Sequence, residues 1–143
     1  MTDIRYPYRA PSGKEFLRPL ALCAATNVRN GSFRVFLPLI DTGAEITILS
    51  TNLLTLLGID RNTLQEDPIS GIGGGRRAWI CDYIQISFLD ERGGAVKEHY
   101  PNKGSHVPLK FTEGSFNLLG QELFLDLCVL RFNGPKKETL VGF

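Results

Sequence analysis

No run of apolar residues in this 143-residue sequence approaches the roughly 18 needed to span a bilayer as a helix, so no membrane partner is expected for the chain. Groups suited to metal and redox chemistry are also scarce. There are two histidines, His99 and His106, and three cysteines, Cys23, Cys81 and Cys128. Their spacing fits no structural or catalytic metal site, so neither metal nor cofactor is expected. An odd, scattered set of cysteines argues against a disulfide framework and for a reducing compartment. The polar N-terminal stretch carries Pro7, Pro11 and Pro19 and lacks the apolar core of a secretory signal, which makes the cytoplasm the expected location. Charge of one sign is missing too. The net charge is +1 with both signs mixed throughout, which leaves no basic footprint for nucleic acid. Arg76-Arg77 and Lys136-Lys137 read as solvated loop charges.

What is present is ordinary globular composition, 43% hydrophobic and 22% charged. The length suits one domain able to bury about two thirds of its unfolded surface. Residues 1–18 read as an extended arm ordered against a partner, and residues 19–143 as the folded domain. Residues 20–28 and 32–40 read as a hairpin around Asn30-Gly31, a strong turn signal. Residues 46–49 read as a short strand. Ser50 is placed to cap a short helix that runs to Leu57 and is closed by Gly58. Residues 79–89 alternate well enough for one strand, with a return strand over 95–100. Further strands are expected over 107–111, 116–118, 128–132 and 139–143, with a helix over 121–127. Many short strands and one or two short helices predict a mostly β, barrel-like domain.

Two features of this pattern carry chemistry. Asp41-Thr42-Gly43-Ala44 lies between the apolar runs Leu37-Pro38-Leu39-Ile40 and Ile46-Thr47-Ile48-Leu49. A carboxylate between two strand-like segments is costly to bury without hydrogen bonds or a charged partner. The plain reading is a tight turn, since Asp and Gly both favour turns. Thirty residues after Asp41 comes the second feature, the glycine-rich stretch Gly71-Ile72-Gly73-Gly74-Gly75. A phosphate-binding loop would place such glycines at the start of a helix, with Lys-Ser/Thr after them. Here Arg76-Arg77-Ala78-Trp79 leads into a strand, which leaves a flexible loop or a hairpin lid.

The Asp41 segment resembles the motif of the retropepsin-like aspartic peptidases: apolar, apolar, Asp, Thr or Ser, Gly, Ala. Members of that family also carry a glycine-rich flap after the catalytic Asp, matched here by residues 71–75. They carry an apolar-apolar-Gly segment before a helix, matched by Leu118-Leu119-Gly120. The three elements occur in the family's order over roughly residues 34–132. The long interval from Asp41 to Gly120 is closer to cellular and bacterial members than to compact viral ones. One departure stands out. Viral members have an Arg after the third motif's Gly, paired with a carboxylate at a place Glu45 fills here. Gln121 offers one neutral donor group instead of a bidentate fork.

The resemblance implies a retropepsin-like closed β-barrel, the acid-protease fold, and an endopeptidase acting on polypeptide substrates without a cofactor. It implies Asp41, Thr42 and Gly43 as the catalytic segment, with Ala44, Glu45 and residues 71–75 (Gly71, Ile72, Gly73, Gly74, Gly75) contacting substrate. Such enzymes activate water between two carboxylates sharing a proton. Two charges about 3 Å apart at an effective dielectric of about 20 repel by about 5 kcal/mol, which favours that sharing. Asp-Ser/Thr-Gly occurs once in this chain, so the second Asp41 must come from a second copy on a two-fold axis. By the same resemblance, Thr42 would lock the two loops across the axis and residues 139–143 would join an intersubunit sheet. The alternative is a non-catalytic barrel of this fold acting as a peptide-binding or assembly module.

Overall fold

The computed structural model describes residues 3–10, 16–69, 75–90, 92, 108–122, 124–125 and 128–142. Alternation of buried Ile4 and Tyr6 with exposed Arg5 and Pro7 makes Asp3–Pro7 the first strand, β1. It pairs antiparallel with Glu138–Gly142 (β12), which also pairs with Val129–Asn133 (β11) across the turn after Asn133. The N-terminal segment expected to be ordered against a partner is thus folded onto its own chain over these residues. The Tyr6 hydroxyl pins it, donating to the Leu89 carbonyl at 2.5 Å with the Leu22 carbonyl 3.2 Å away. The C-terminal strand, expected to join an intersubunit sheet, is the centre of this three-stranded sheet. Both of its edges are taken by its own chain, so only β1 and β11 offer edges for extension.

A second sheet runs in the order β3-β2-β8, from Phe33–Phe36 (β3), Cys23–Asn27 (β2) and Ile84–Phe88 (β8). The β2–β3 hairpin turns where Asn30-Gly31 predicts it. Gly31 has φ +76°, and the Asn30 side-chain oxygen accepts from the Ser32 N–H at 2.9 Å.

The third sheet has six strands. They are Leu39–Ile40 (β4), Leu118–Leu119 (β10), Ile48–Ser50 (β5), Leu109–Thr112 (β9), Ala78–Cys81 (β7) and Gln65–Glu66 (β6), in that spatial order. The helix α1, Thr51–Leu56, begins where expected: Ser50 Oγ accepts from the Asn52 N–H, and Gly58 takes φ +73° just past the end. Its Leu53 and Leu54, with Leu57 after it, are buried against the core.

The single strand expected over 79–89 is two strands. Asp82 and Tyr83 bend the chain, so that β7 pairs with β9 and β6 while β8 pairs with β2. The chain changes sheets at this corner, and the buried positions shift from Trp79 and Cys81 before it to Ile84, Ile86 and Phe88 after it. The predicted return strand over 95–100 lies outside the described residues. Of the helix expected over 121–127, residues 123, 126 and 127 lie outside them; Gln121, Glu122 and Phe124 are in turns. The domain is mostly β, as expected, with the sheets packed around Phe88, Phe111 and Phe124. Pairing among the described residues leaves three open sheets rather than one closed ladder.

Two buried groups set testable stabilities. Burial, and then the nearby Cys23, push the Tyr6 phenol well above the ordinary tyrosine range, and burial raises the Cys23 thiol. An unfolded chain releases these protons above about pH 8.5 for the thiol and about pH 10 for the phenol. The folded chain retains them, so the unfolded state binds fewer protons and stability falls as pH rises through this range. Urea midpoints should therefore hold near neutral pH and drop beyond about pH 8.5. Tyr6→Phe should cost about 1 kcal/mol at pH 7 and shallow the alkaline decline. A midpoint independent of pH up to about pH 11 would contradict this. Thr139 Oγ1 is the opposite case, a fully buried oxygen with no hydrogen-bond partner among the described residues. Thr139→Val should raise stability by about 1 kcal/mol in the same denaturation assay.

Candidate active site

The site is built where three short strands meet. β4 and β5 are separated by a gap that β10 fills, parallel to β4 and antiparallel to β5. Asp41 directly follows β4. Its N–H donates to the Leu119 carbonyl at 3.0 Å, so the ladder reaches the first residue of the loop. The Gly43 N–H then donates to Asp41 Oδ1 at 3.0 Å, and the Ala44 N–H to the Asp41 carbonyl at 3.2 Å. This is an Asx-type turn, as the plain reading of the motif anticipated. It differs from an ordinary surface turn in being anchored on a buried strand, with Ile40 only 4% exposed. The Asp41 side chain is half-buried, while Thr42 and Gly43 are exposed. Hydrogen bonding among the described residues engages Oδ1 of this half-buried carboxylate.

The back of the loop is held by the segment after β10. The Gln121 N–H donates to the Ala44 carbonyl and the Glu122 N–H to the Glu45 carbonyl, both at 2.9 Å. The Gln121 side-chain amide donates to the Thr42 carbonyl at 2.7 Å. Thr47, buried in an otherwise apolar strand, accepts from the Gly120 N–H at 2.9 Å and donates to the Glu122 carbonyl at 3.3 Å. Gly120 permits this approach. A Cβ there would lie 2.2 Å from the Ile46 carbonyl oxygen and 3.0 Å from that of Ala44. Backbone carbonyls cannot swing aside, so only glycine fits.

Asp41, Thr42, Gly43, Ala44 and Glu45 therefore share one loop. Gly71, Ile72, Gly73 and Gly74 lie outside the described residues, and Gly75 is exposed. The arms around that stretch form an antiparallel hairpin. Gln65 opposes Ile80, Glu66 opposes Trp79, and Ile69 and Arg76 exchange both main-chain hydrogen bonds at 2.8–2.9 Å. Arg77, expected as a free loop charge, pairs with Glu66 across the hairpin at 2.5 Å and holds its carboxyl below the usual carboxylate range. The guanidinium groups of Arg61 and Arg77 flank the Trp79 ring at 4.9 and 5.0 Å, and Arg76 lies 5.7 Å from the Phe116 ring. Gln121, which stands where viral members carry the Arg, bonds the loop backbone at Thr42. Among the described residues no group of three or more His, Cys, Asp or Glu could hold a metal ion. No helix among the described residues is long and apolar enough to cross a membrane.

Sequence reasoning missed Thr47 and Asn117. Asn117 Oδ1 accepts from the Ser50 N–H at 2.8 Å, and its carbonyl accepts from the Leu39 N–H at 2.8 Å. Asn117 thus ties β4 and β5 to the start of β10. The available signal for Thr47 was a lone hydroxyl among apolar strand residues.

A mostly β domain in which one strand threads between the two that carry an Asp-Thr-Gly loop has the retropepsin-like acid-protease fold. Among solved structures it is similar to a retropepsin-like aspartic protease from Rickettsia conorii, with a TM-score of 0.57 and 17% identity over 98% of each chain. It also matches the EIAV protease complexed with the inhibitor HBY-793, with a TM-score of 0.46 and 17% identity over 83% of this chain and 94% of that one. No protein-family model matches the sequence, and no curated protein matches it significantly.

The close approach at Gly120 is testable. Gly120→Ala should destabilise the domain by about 3 kcal/mol or more, by urea denaturation, because main chain must move to admit the Cβ. Gly134→Ala, where the new Cβ meets nothing within 4 Å, should stay within about 0.5 kcal/mol. Equal effects at the two positions would refute the packing argument.

Proposed function

We propose that this protein is an aspartic endopeptidase of the retropepsin-like family, active as a homodimer, that hydrolyses peptide bonds in extended segments of polypeptide substrates. The observation that carries the reading is the Asp41 loop. A carboxylate is fixed at its backbone and at one oxygen, on a frame held by Gly120, Thr47 and Gln121, and its residue stays partly exposed. That is what a group needs if it is to meet a substrate in a set geometry. The fold likeness to the Rickettsia conorii protease adds support of an independent kind.

One chain supplies one such carboxylate. Two copies around a two-fold axis would bring two Asp41 groups together with one proton between them. The ionised member takes a proton from the attacking water, and the protonated member donates to the carbonyl oxygen of the scissile peptide. The tetrahedral species then collapses as the leaving nitrogen gains a proton, and the pair returns to its starting state. Thr42, exposed at the loop tip, is positioned to meet its counterpart across the axis. Gly43 keeps the loop close to the substrate backbone. Ala44 and Glu45 lie beside the carboxylate on the same loop and would contact the bound peptide. The hairpin carrying residues 71–75 would close over substrate and exclude bulk water. The exposed Val129 and Phe132 on the edge strand β11 are apolar surface available to such a dimer. No cofactor enters this scheme, and the cytoplasm is its proposed setting.

The test combines activity with assembly. The wild-type protein should cleave casein or a peptide library and sediment as a dimer at the assay concentration. Asp41→Asn should keep the dimer and lower cleavage by at least about a thousandfold, since it removes both the base and the acid. Cleavage by the variant at the wild-type rate would exclude the peptidase reading and favour a binding module of the same fold. A strict monomer that still cleaves would exclude the shared site.

A further inference from the structure

A cavity of about 380 Å³ lies at the root of the β6–β7 hairpin, away from the Asp41 loop. Its wall includes Arg29, Leu64, Gln65, Ile80, Asp82 and Tyr83. Four separate parts of the chain meet there: the turn after β2, the start of β6, the end of β7 with the corner that follows, and Pro108 just before β9. The volume falls within the range of about 300–1,000 Å³ usual for small-molecule pockets. Arg29 and Asp82 form no ion pair among the described residues, although both line the same cavity. They are not within salt-bridge distance of one another, which leaves space between opposite charges.

The Arg29 guanidinium is held rather than loose. It sits 3.7 Å from the centre of the Tyr83 ring, and its backbone N–H donates to Asn27 Oδ1 at 3.0 Å. A guanidinium stacked on an aromatic face keeps its in-plane N–H groups free to bind a carboxylate. Asp82 offers an acceptor for an ammonium group. Leu64, Ile80 and the Tyr83 ring supply an apolar wall, and Gln65 adds a neutral donor and acceptor.

We propose that this cavity binds a small zwitterion with free α-ammonium and α-carboxylate groups and an apolar side chain, that is, an amino acid or a dipeptide. The carboxylate lies on Arg29, the ammonium on Asp82 and the side chain against Leu64 and Ile80. Because Gln65 and Ile80 face each other across the hairpin, an occupant braces the root of the hairpin that leads to residues 70–75. This binding does not depend on the peptidase reading.

The experiment is calorimetric titration of the full chain, catalytically silenced by Asp41→Asn, with L-leucine and L-leucyl-L-leucine. Binding should be saturable. N-acetyl-L-leucine, which lacks the ammonium, and L-leucinamide, which lacks the carboxylate, should each bind at least about tenfold more weakly. Asp82→Asn and Arg29→Gln should reproduce these losses one charge at a time, while Arg29→Lys should keep part of the affinity. The variants lie on the exposed rim, and unchanged urea midpoints would show them folded. No saturable binding of either zwitterion up to about 10 mM would overturn the proposal, as would binding indifferent to Arg29→Gln and Asp82→Asn. Because the readout is heat of binding in a silenced protein, it stands or falls separately from peptide cleavage.

Discussion

The arrangement of the whole site depends on one backbone contact, the passage of Gly120 beneath the carbonyls of Ile46 and Ala44. Any side chain at that point would force the threading strand away from the loop. The Gln121 and Glu122 N–H groups would then lose the Ala44 and Glu45 carbonyls, and Gly120 would lose Thr47. Asp41 would still sit at the end of β4, but on a loop free to move. The contact therefore turns a common turn tripeptide into a positioned acid. Buried main-chain groups must find partners, and here they find them in each other across the crossing.

The rest of the molecule supports that crossing from two sides. Beneath it, the apolar side chains of β5, α1 and β9 fill the core around Leu49, Leu54 and Phe111. Beyond it, the β6–β7 hairpin is fastened by Glu66–Arg77 and by the two guanidinium groups on Trp79, all outside the loop. Exposed ion pairs contribute little each. Their value here is geometric, because they fix the arms of the hairpin. The sheet of β1, β12 and β11 closes the base of the domain with its central strand fully paired. The proposed dimer would have to use other surface, such as the exposed apolar residues of β11.

Local chemistry was legible in the sequence. The Ser50 cap, the Gly58 stop and the Asn30-Gly31 turn each depend on a few adjacent residues, and each is found where those residues place it. Partner choice was not legible. Alternation of residue types through 79–89 looks unbroken in the sequence, yet the buried positions shift from Trp79 and Cys81 to Ile84, Ile86 and Phe88 where the backbone changes sheets at Asp82-Tyr83. The arm misled for a related reason: its prolines and charges suggest an unpaired segment, yet Ile4 and Tyr6 alone suffice to bury one face of β1. The Asp41 loop was visible as a motif, but what holds it was not. Thr47, Asn117 and Gln121 act on residues about 70 positions away, and beyond the lone hydroxyl of Thr47 in an apolar run no local pattern marks such bonds.

Mixed dimers test the claim that one working site requires the Asp41 loops of two chains. Wild-type and Asp41→Asn chains, unfolded together and refolded as equal parts, should associate at random. If catalysis needs both aspartates, activity per total protein should fall to about a quarter of the wild-type value, following the square of the wild-type fraction. A fall to about a half, linear in that fraction, would mean that each chain works alone and would contradict the shared site.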